Sequence, residues 1–269
     1  MTRSRLDAEL VRRGLARSRE QAARLVGDGL VRVGGQVAAK PATQVDRGAA
    51  IVVAEPADGP EYVSRGGHKL AGALAAFAGL DPAGRVCLDA GASTGGFTDV
   101  LLRAGAARVH AVDVGYGQIA WSLRTDDRVV VLERVNVREL TPELLGRPAE
   151  PAADLVVGDL SFISLRLVLE PLRRCAAPDA DFALMVKPQF EVGRERVGAG
   201  GVVRDPALRA EAVRDVAAHA ATLGLGVRGV TASPLPGPSG NVEYFLWLVA
   251  GAPPLAEEDL ARAIEEGPR

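Results

Sequence analysis

The chain has 269 residues, 48% of them hydrophobic, enough for one large domain or a medium domain with a small one beside it. No apolar run approaches the ~18 residues of a membrane-spanning helix, the N-terminal MTRSRLDAELVRRG lacks the apolar core of a secretory signal, and Cys87 and Cys175 lie in apolar segments as expected of buried thiols in a reducing, cytoplasmic setting. The formal net charge is −2, yet residues 1–48 hold ten Lys or Arg against five Asp or Glu, so a basic module precedes an acidic body; the three histidines are scattered and no metal site is expected.

Residues 1–54 read as a small separate module. Arg5 to Gly14 is an amphipathic helix with Leu6, Leu10 and Val11 on one face. Ser18 caps a second helix, with Gln21 completing a capping box and Ala22, Leu25 and Val26 facing inward until Gly27 and Gly29 end it. Strands at 30–33 and 36–37 turn at Gly34-Gly35, a pair that tolerates the positive φ of a tight hairpin, and AAIVVAE closes the module.

The stretch RLDAELVRRGLARSREQAARLVGDGLVRVGGQ resembles the S4-like RNA-binding domain in its Leu-Asp pair, Gly14, Ser18-Arg19 and the Gly29-to-Gly35 hairpin. Arg12, Arg13, Arg17, Arg19 and Arg24 are then candidate phosphate contacts, chosen by charge and each equally readable as an exposed arginine. Residues 55–63, with two prolines and a glycine, read as a linker whose Tyr62 and Val63 can dock on a domain.

After the linker, Gly66-Gly67 opens a helix with Leu70, Leu74 and Phe77 on its apolar side. Lys69 falls in its first turn, where a cation opposes the helix dipole and needs something to hold it. A buried strand from Val86 leads to Asp89 and then through Gly91, Gly95 and Gly96 into a helix bearing Phe97, Val100, Leu101 and Leu102. The next strand, RVHAVDVG, ends in Asp113, 22 residues beyond Gly91, the distance at which a βαβ unit sets a carboxylate against a ribose. Strands are expected at 127–132, from 154 towards Asp159, and from 181 to Lys187, where Pro188 stops the ladder. Asn136 sits in a loop, either near an adenosine moiety or as an ordinary turn residue. The glycine-rich 191–205 segment, with Arg194 and Arg196, has the character of a lid or substrate loop. A helix, a strand, a loop at 233–241 and a last strand starting near Glu243 follow, then a tail at 252–269 read as an exposed acidic helix.

Alternating strands and helices imply a doubly wound, mostly parallel α/β sheet, which binds ligands at the carboxyl ends of its strands. Asp89, Asp113, Asp159 and Lys187 all fall at that edge. The glycine order, Asp89-x-Gly91 and then Gly95-Gly96-Phe97, departs from the Gly-x-Gly-x-x-Gly of dinucleotide sites and matches S-adenosylmethionine methyltransferases, with Ser93 in the same loop.

Lys69 (HKLAG), Asp159 (GDLSF), Lys187 (VKPQF) and Glu243 (NVEYF) resemble the Lys-Asp-Lys-Glu tetrad of FtsJ-type 2′-O-methyltransferases. With the S4-like module the whole is similar to the TlyA family of rRNA methyltransferases, also known as hemolysins. The resemblance implies a Rossmann-like domain at 64–251 with a seven-stranded, mostly parallel sheet, preceded by a small α+β S4-like domain. It implies S-adenosylmethionine held by Asp89, Gly91, Ser93, Gly95, Gly96, Phe97, Asp113 and Asn136. It also implies a cytidine 2′-hydroxyl of 16S rRNA, 23S rRNA or both as substrate, with ribosomal subunits as partner, and the substrate-loop reading of 191–205 makes Arg194 and Arg196 further candidate RNA contacts. Lys187 is the expected base, with Lys69 and the sulfonium keeping it neutral, because an unperturbed lysine of pKa about 10.4 needs burial or a nearby cation to serve as one, while adjacent carboxylates pull the other way. A SAM-binding module without activity, a membrane-active hemolysin and a nicotinamide enzyme are the competing readings, disfavoured by the tetrad, by the lack of a spanning segment and by the glycine spacing.

Overall fold

The computed structural model describes residues 3–16, 18–27, 30–38, 40–53, 62–146, 152–237 and 239–268, the side chains of Arg3 and Arg24 excepted. The chain divides into two compact units, Met1–Glu61 and Tyr62–Arg269.

The first unit runs β1 (Arg3–Arg5), α1 (Leu6–Arg12), α2 (Arg19–Gly27), β2 (Val31–Val33), β3 (Gln36–Val37), β4 (Gln44–Asp46) and β5 (Ile51–Val53). Leu6, Leu10, Ala22, Leu25, Val26 and Val31 form its core. The Ser18 hydroxyl accepts the Gln21 N–H at 3.1 Å, and Gly34 and Gly35 turn the β2–β3 hairpin at φ +57° and +84°. Two features differ from the sequence reading. Helix α1 begins at Leu6 rather than Arg5, because Arg5 belongs to β1, which pairs antiparallel with β4. Strands of three residues are too short to show an alternating pattern, so neither was legible. The expected linker at 55–61, Arg17 and Gly29 lie outside the described residues.

The second unit carries α3 (Gly66–Ala76), β6 (Val86–Ala90), α4 (Gly96–Arg103), β7 (Arg108–Asp113), α5 (Trp121–Arg124), β8 (Val129–Glu133) and β9 (Ala153–Gly158). It continues with α6 (Leu169–Cys175), β10 (Ala176–Val186), α7 (Pro188–Glu191), α8 (Pro206–Thr222), β11 (Leu225–Ala232), β12 (Tyr244–Ala250) and α9 (Glu257–Glu266). Seven strands form one sheet in the order β11-β12-β10-β9-β6-β7-β8. From β10 to β8 every pairing is parallel, while β12 runs antiparallel to both β10 and β11.

Successive residues of a strand serve opposite faces. Leu88 and Ala90 of β6 enter one core and Cys87 the other; Leu246 and Leu248 of β12 enter the first, Phe245 and Trp247 the second. Strands buried on both faces account for the near-continuous apolar runs in the sequence. Cys87 and Cys175 are both buried, and burial pushes the Cys87 thiol up to about 12. The tail is less exposed than its charge suggests: α9 buries Leu260 and Ala263 in the core shared with β11 and α8.

The chain leaves β6 towards β7 and β8 on one side, and β9 and β10 build the other. The order reverses between β6 and β9, and a crevice opens at the carboxyl ends of strands at such a point. Two backbone bonds bring the loops together there: Gly91 N–H donates to Val112 O at 2.8 Å, and Asp159 N–H to Ala90 O at 3.2 Å.

Candidate active site

A cavity of about 330 Å3 occupies that crevice. Its floor is the β6–α4 loop and its walls come from the start of α3, from the ends of β9 and β10, and from the loop before β12. Gly91, Ser93, Gly96, Phe97, Lys69, Asp159 and Lys187 all line it.

The loop is built on close approach. Gly95, at φ +95°, adopts a left-handed conformation as the cap of α4. Gly96 has no room for a side chain: a Cβ there would stand 2.3 Å from Ser64 Oγ and 2.8 Å from Gly67 N. Glycine at 96 therefore lets the first turns of α3 and α4 touch, which brings Lys69 to the cavity wall.

The four charged residues form two pairs. Lys187 Nζ lies 2.5 Å from Asp159 Oδ1 and donates to Ser161 Oγ at 2.8 Å. Lys69 Nζ lies 2.5 Å from Glu243 Oε2, with Met185 Sδ at 4.0 Å. Glu243 is 1% exposed and lies behind Lys69, so it reaches the cavity only through its partner. The register Val186↔Tyr244 explains the convergence, since Lys187 and Glu243 directly flank that pair on neighbouring strands.

The expected cofactor residues divide into three groups. Gly91, Ser93, Gly96 and Phe97 face the cavity, and Gly95 shapes the turn. Asp113 already accepts the Ser93 N–H at 2.8 Å and the Gly115 N–H at 2.6 Å, which ties the loop after β6 to the loop after β7. Asp89 is fully buried beneath the loop; its Oδ2 accepts the Thr98 hydroxyl at 2.7 Å, and its Oδ1 has no hydrogen-bond partner among the described residues. Burial, aided by the nearby Asp159 and Asp113 charges, pushes the Asp89 carboxyl up to about 7 against the pull of Thr98. Asn136 is exposed, does not line this cavity, and caps a 3₁₀ turn by accepting the Arg138 N–H at 3.1 Å.

Loop 191–205 is not a free flap. Buried Asn241 accepts the Val203 N–H at 2.9 Å and donates to Gly201 O at 2.8 Å. Arg196 is engaged with Glu211 at 2.5 Å and with Val192 O at 2.8 Å, while Arg194 is exposed. Ser161 went unnoticed in the sequence reading although it lies in the GDLSF stretch, two residues past the strand-end acid. A hydroxyl at that spacing beside a lysine-bearing strand is the signal that could have found it.

In the first unit Arg5, Arg12, Arg13 and Arg19 have structural partners. Glu9, 1% exposed, accepts Arg12 Nη2 at 2.6 Å and Arg13 Nε at 2.8 Å; Asp7 accepts Arg5 at 2.8 Å and Arg19 at 3.1 Å. These guanidinium groups hold both carboxyls well below the usual range. Arg13 donates further to Ala49 O and Arg47 O, so it serves the fold before any ligand. Arg12 and Arg19 keep more than half of their side chains exposed.

The FtsJ-like methyltransferase family matches residues 62–250 and the S4 domain matches residues 4–51. The chain is 61% identical over 272 residues to the 16S/23S rRNA (cytidine-2′-O)-methyltransferase TlyA of Mycobacterium tuberculosis, covering 99% of each. It is 35% identical over 241 residues to Hemolysin A of Brachyspira hyodysenteriae, covering 90% of this chain and 98% of that one. Among solved structures, a candidate hemolysin from Streptococcus thermophilus superposes with a TM-score of 0.75 at 38% identity, covering 99% and 97% of the two chains. Among the described residues no helix is long and apolar enough to cross a membrane, and no cluster of side chains suits a metal ion. An S4 domain joined to an FtsJ-like domain, with full-length identity to TlyA, means that this chain belongs to the TlyA family of FtsJ-like methyltransferases.

Proposed function

We propose that this protein is a cytoplasmic S-adenosylmethionine-dependent methyltransferase that modifies the 2′-hydroxyl of a cytidine in 16S or 23S rRNA, within ribosomal subunits gripped by its S4 domain. The observation that carries the reading is the gathering of Lys69, Asp159 and Lys187 on one cavity beside the glycine loop, with Glu243 behind Lys69.

The residues present suit the cofactor. The Gly91–Phe97 backbone would hold it, with Asp113 on the ribose side. Gly91, Ser93, Gly96 and Phe97 leave the floor of the cavity open for the cofactor, and Asp159 places a carboxylate at its wall. A carboxylate there suits a ligand that carries a positive charge. When bound, S-adenosylmethionine supplies an electrophilic methyl group on a positively charged sulfur.

The chain's own residues then have three tasks. Lys187 Nζ, neutral once one ammonium proton has passed to the paired Asp159 or to solvent, takes the 2′-hydroxyl proton, and Asp159 and Ser161 fix where that nitrogen points. Lys69, held by Glu243, steers the ribose oxygen from the α3 side of the cavity. The glycine loop fixes the line of attack, and alignment of this kind is worth up to about 7–11 kcal/mol. The test is methyl transfer from labelled S-adenosylmethionine to isolated subunits, with 2′-O-methyl mapping. The wild type should label one subunit or both, and Lys187→Ala and Lys187→Arg should each lose at least about 100-fold in turnover. Near-wild-type turnover in both variants overturns the assignment of the base, and an unlabelled ribose overturns the reaction.

A further inference from the structure

The two segments that carry the Lys187–Asp159 pair are joined a second time, away from the cavity. Glu191 ends α7 and is 5% exposed. Its Oε2 accepts the Ser164 hydroxyl at 2.5 Å and its Oε1 accepts the Leu165 N–H at 2.7 Å. Arg166 Nε stands 3.5 Å from Oε2, and Arg166 Nη2 donates to the Glu191 carbonyl at 3.3 Å. Ser164 in turn caps the 3₁₀ turn Leu165–Leu167 by accepting the Arg166 N–H at 3.2 Å. A carboxylate from one segment therefore sits on the N-terminal end of a turn in the other.

Between these two joints the backbone is strained. Phe162 has φ +63° and is 91% exposed, its ring 5.2 Å from that of Phe190. A bulky residue in the left-handed region persists only where the flanking chain is held in place. On one flank Asp159 and Ser161 are held by Lys187; on the other, Ser164 and Leu165 are held by Glu191. Burial pushes the Glu191 carboxyl above its ordinary range while Ser164, Leu165 and Arg166 pull it back. A buried acid that accepts from the Ser164 hydroxyl and the Leu165 N–H ties the two segments together, and those bonds offset the cost of burying it.

We propose that Glu191 is a positioning residue for the methyl-transfer reaction. By anchoring Ser164 and Leu165, it holds the Asp159-to-Ser164 turn in the shape that keeps Asp159 and Ser161 on Lys187 Nζ. The inference rests on the reading of Lys187 as proton acceptor, and Glu191 itself does not line the cavity.

The test compares Glu191→Ala with Glu191→Gln in the full chain, acting on ribosomal subunits, with kcat counted per S-adenosylmethionine site titrated by calorimetry. Misplacement of a reacting group by about 1 Å can cost up to about 100-fold, so Glu191→Ala should lose at least about tenfold in kcat, with KM for subunits and Kd for S-adenosylmethionine within about twofold. Glutamine can still accept the Leu165 N–H and reach Ser164, so Glu191→Gln should retain kcat within about threefold. Hydrogen exchange at the Leu165 amide should quicken in the alanine variant alone. Should Glu191→Ala fail to fold, Ser164→Ala removes one anchor and should lower kcat several-fold at unchanged KM. Fewer cofactor sites with normal kcat per remaining site would mean a merely structural role and overturn the proposal, as would wild-type kcat in Ser164→Ala. A wild type that methylates no subunit refutes the functional reading instead, and the Leu165 amide still reports the tether.

Discussion

Lys69 and Glu243 stand 174 positions apart in the chain and meet at 2.5 Å inside the protein. The pairing answers why a lysine occupies the first turn of a helix, where the dipole disfavours it: the acid at the start of β12 holds it there. The same acid is reached by Gln189 Nε2 at 3.4 Å, so α3, α7 and β12 share one electrostatic anchor.

Removing one partner of this pair should cost more than removing both. Glu243→Ala leaves a lysine with a 10% exposed side chain beside Met185 and no counter-charge from β12. Breaking a fully buried pair costs about 3–5 kcal/mol, and water in the adjoining cavity reduces that to roughly 1–3 kcal/mol here. The double variant Lys69→Met/Glu243→Leu should recover most of the stability while methyl transfer stays absent. Urea unfolding followed by tryptophan fluorescence reads the correct unit, because Trp121 and Trp247 both lie in Tyr62–Arg269. A double variant no more stable than Glu243→Ala would argue that the pair is not the anchor.

Gly96→Ala should uncouple α3 from α4. The new methyl would meet the Gly67 backbone nitrogen at 2.8 Å, and backbone yields less readily than a flexible side chain. Overpacking of this kind costs typically about 1–3 kcal/mol. Cofactor affinity should fall with stability, because Lys69 and the glycine loop move together. Gly48→Ala, in open space in the other unit, is the control and should leave S-adenosylmethionine titrations unchanged.

What could be read from the sequence, and what could not, follows from the range of the forces involved. The acids and the lysine at strand ends were legible because a parallel sheet presents those ends to one crevice, so chain position alone locates Asp113, Asp159 and Lys187. Their partners were less so. That Glu243 lies behind Lys69 depends on the Val186↔Tyr244 register, and antiparallel insertion of β12 leaves no local mark. Asn136 reads from the sequence as either ligand or turn residue, and the structure shows its turn side, a local bond from the Arg138 N–H. Arg13 looked like a surface cation because nothing local reveals that Glu9 beside it is buried. Glu191 was passed over for the same reason: its donors lie 25 to 27 residues earlier in sequence and come together with it only through β10.

The Asp89 carboxyl should set an unusual pH trend for the second unit. Burial, with Asp159 and Asp113 adding to it, raises this group to about 7, above its unfolded value near 4. The folded state then binds the proton more tightly than the unfolded one, so the contribution to stability is complete below about pH 4 and is lost as pH rises through about 7. At about 1.4 kcal/mol per unit the loss amounts to a few kcal/mol. Asp89→Asn keeps an acceptor for the Thr98 hydroxyl and removes the titration. Between pH 5 and pH 8 the wild type should lose stability relative to Asp89→Asn by tryptophan-monitored urea unfolding. Parallel profiles for the two proteins would show that the carboxyl is not raised.

The first unit should respond to acid in the opposite sense, and its arginines should separate by role. Asp7 and Glu9 are held below the usual carboxyl range by hydrogen bonds from Arg5, Arg19, Arg12 and Arg13. Their contribution is present above about pH 4 and is lost as pH falls through the lower folded values. Arg13, with 21% of its side chain exposed and bonds to Glu9, Ala49 O and Arg47 O, belongs to that network. Each phosphate contact contributes a slope of about 0.7–0.9 to the dependence of log affinity on log salt concentration. Arg13→Gln should therefore leave the salt slope of rRNA binding unchanged and make the first unit more sensitive to acid, as read by hydrogen exchange at the α1 amides. Arg12→Gln and Arg19→Gln remove half-exposed guanidinium groups, and each should lower the slope by nearly one unit if it meets a phosphate. A fall of that size in Arg13→Gln, with α1 exchange unaltered, would move Arg13 from the network to the RNA.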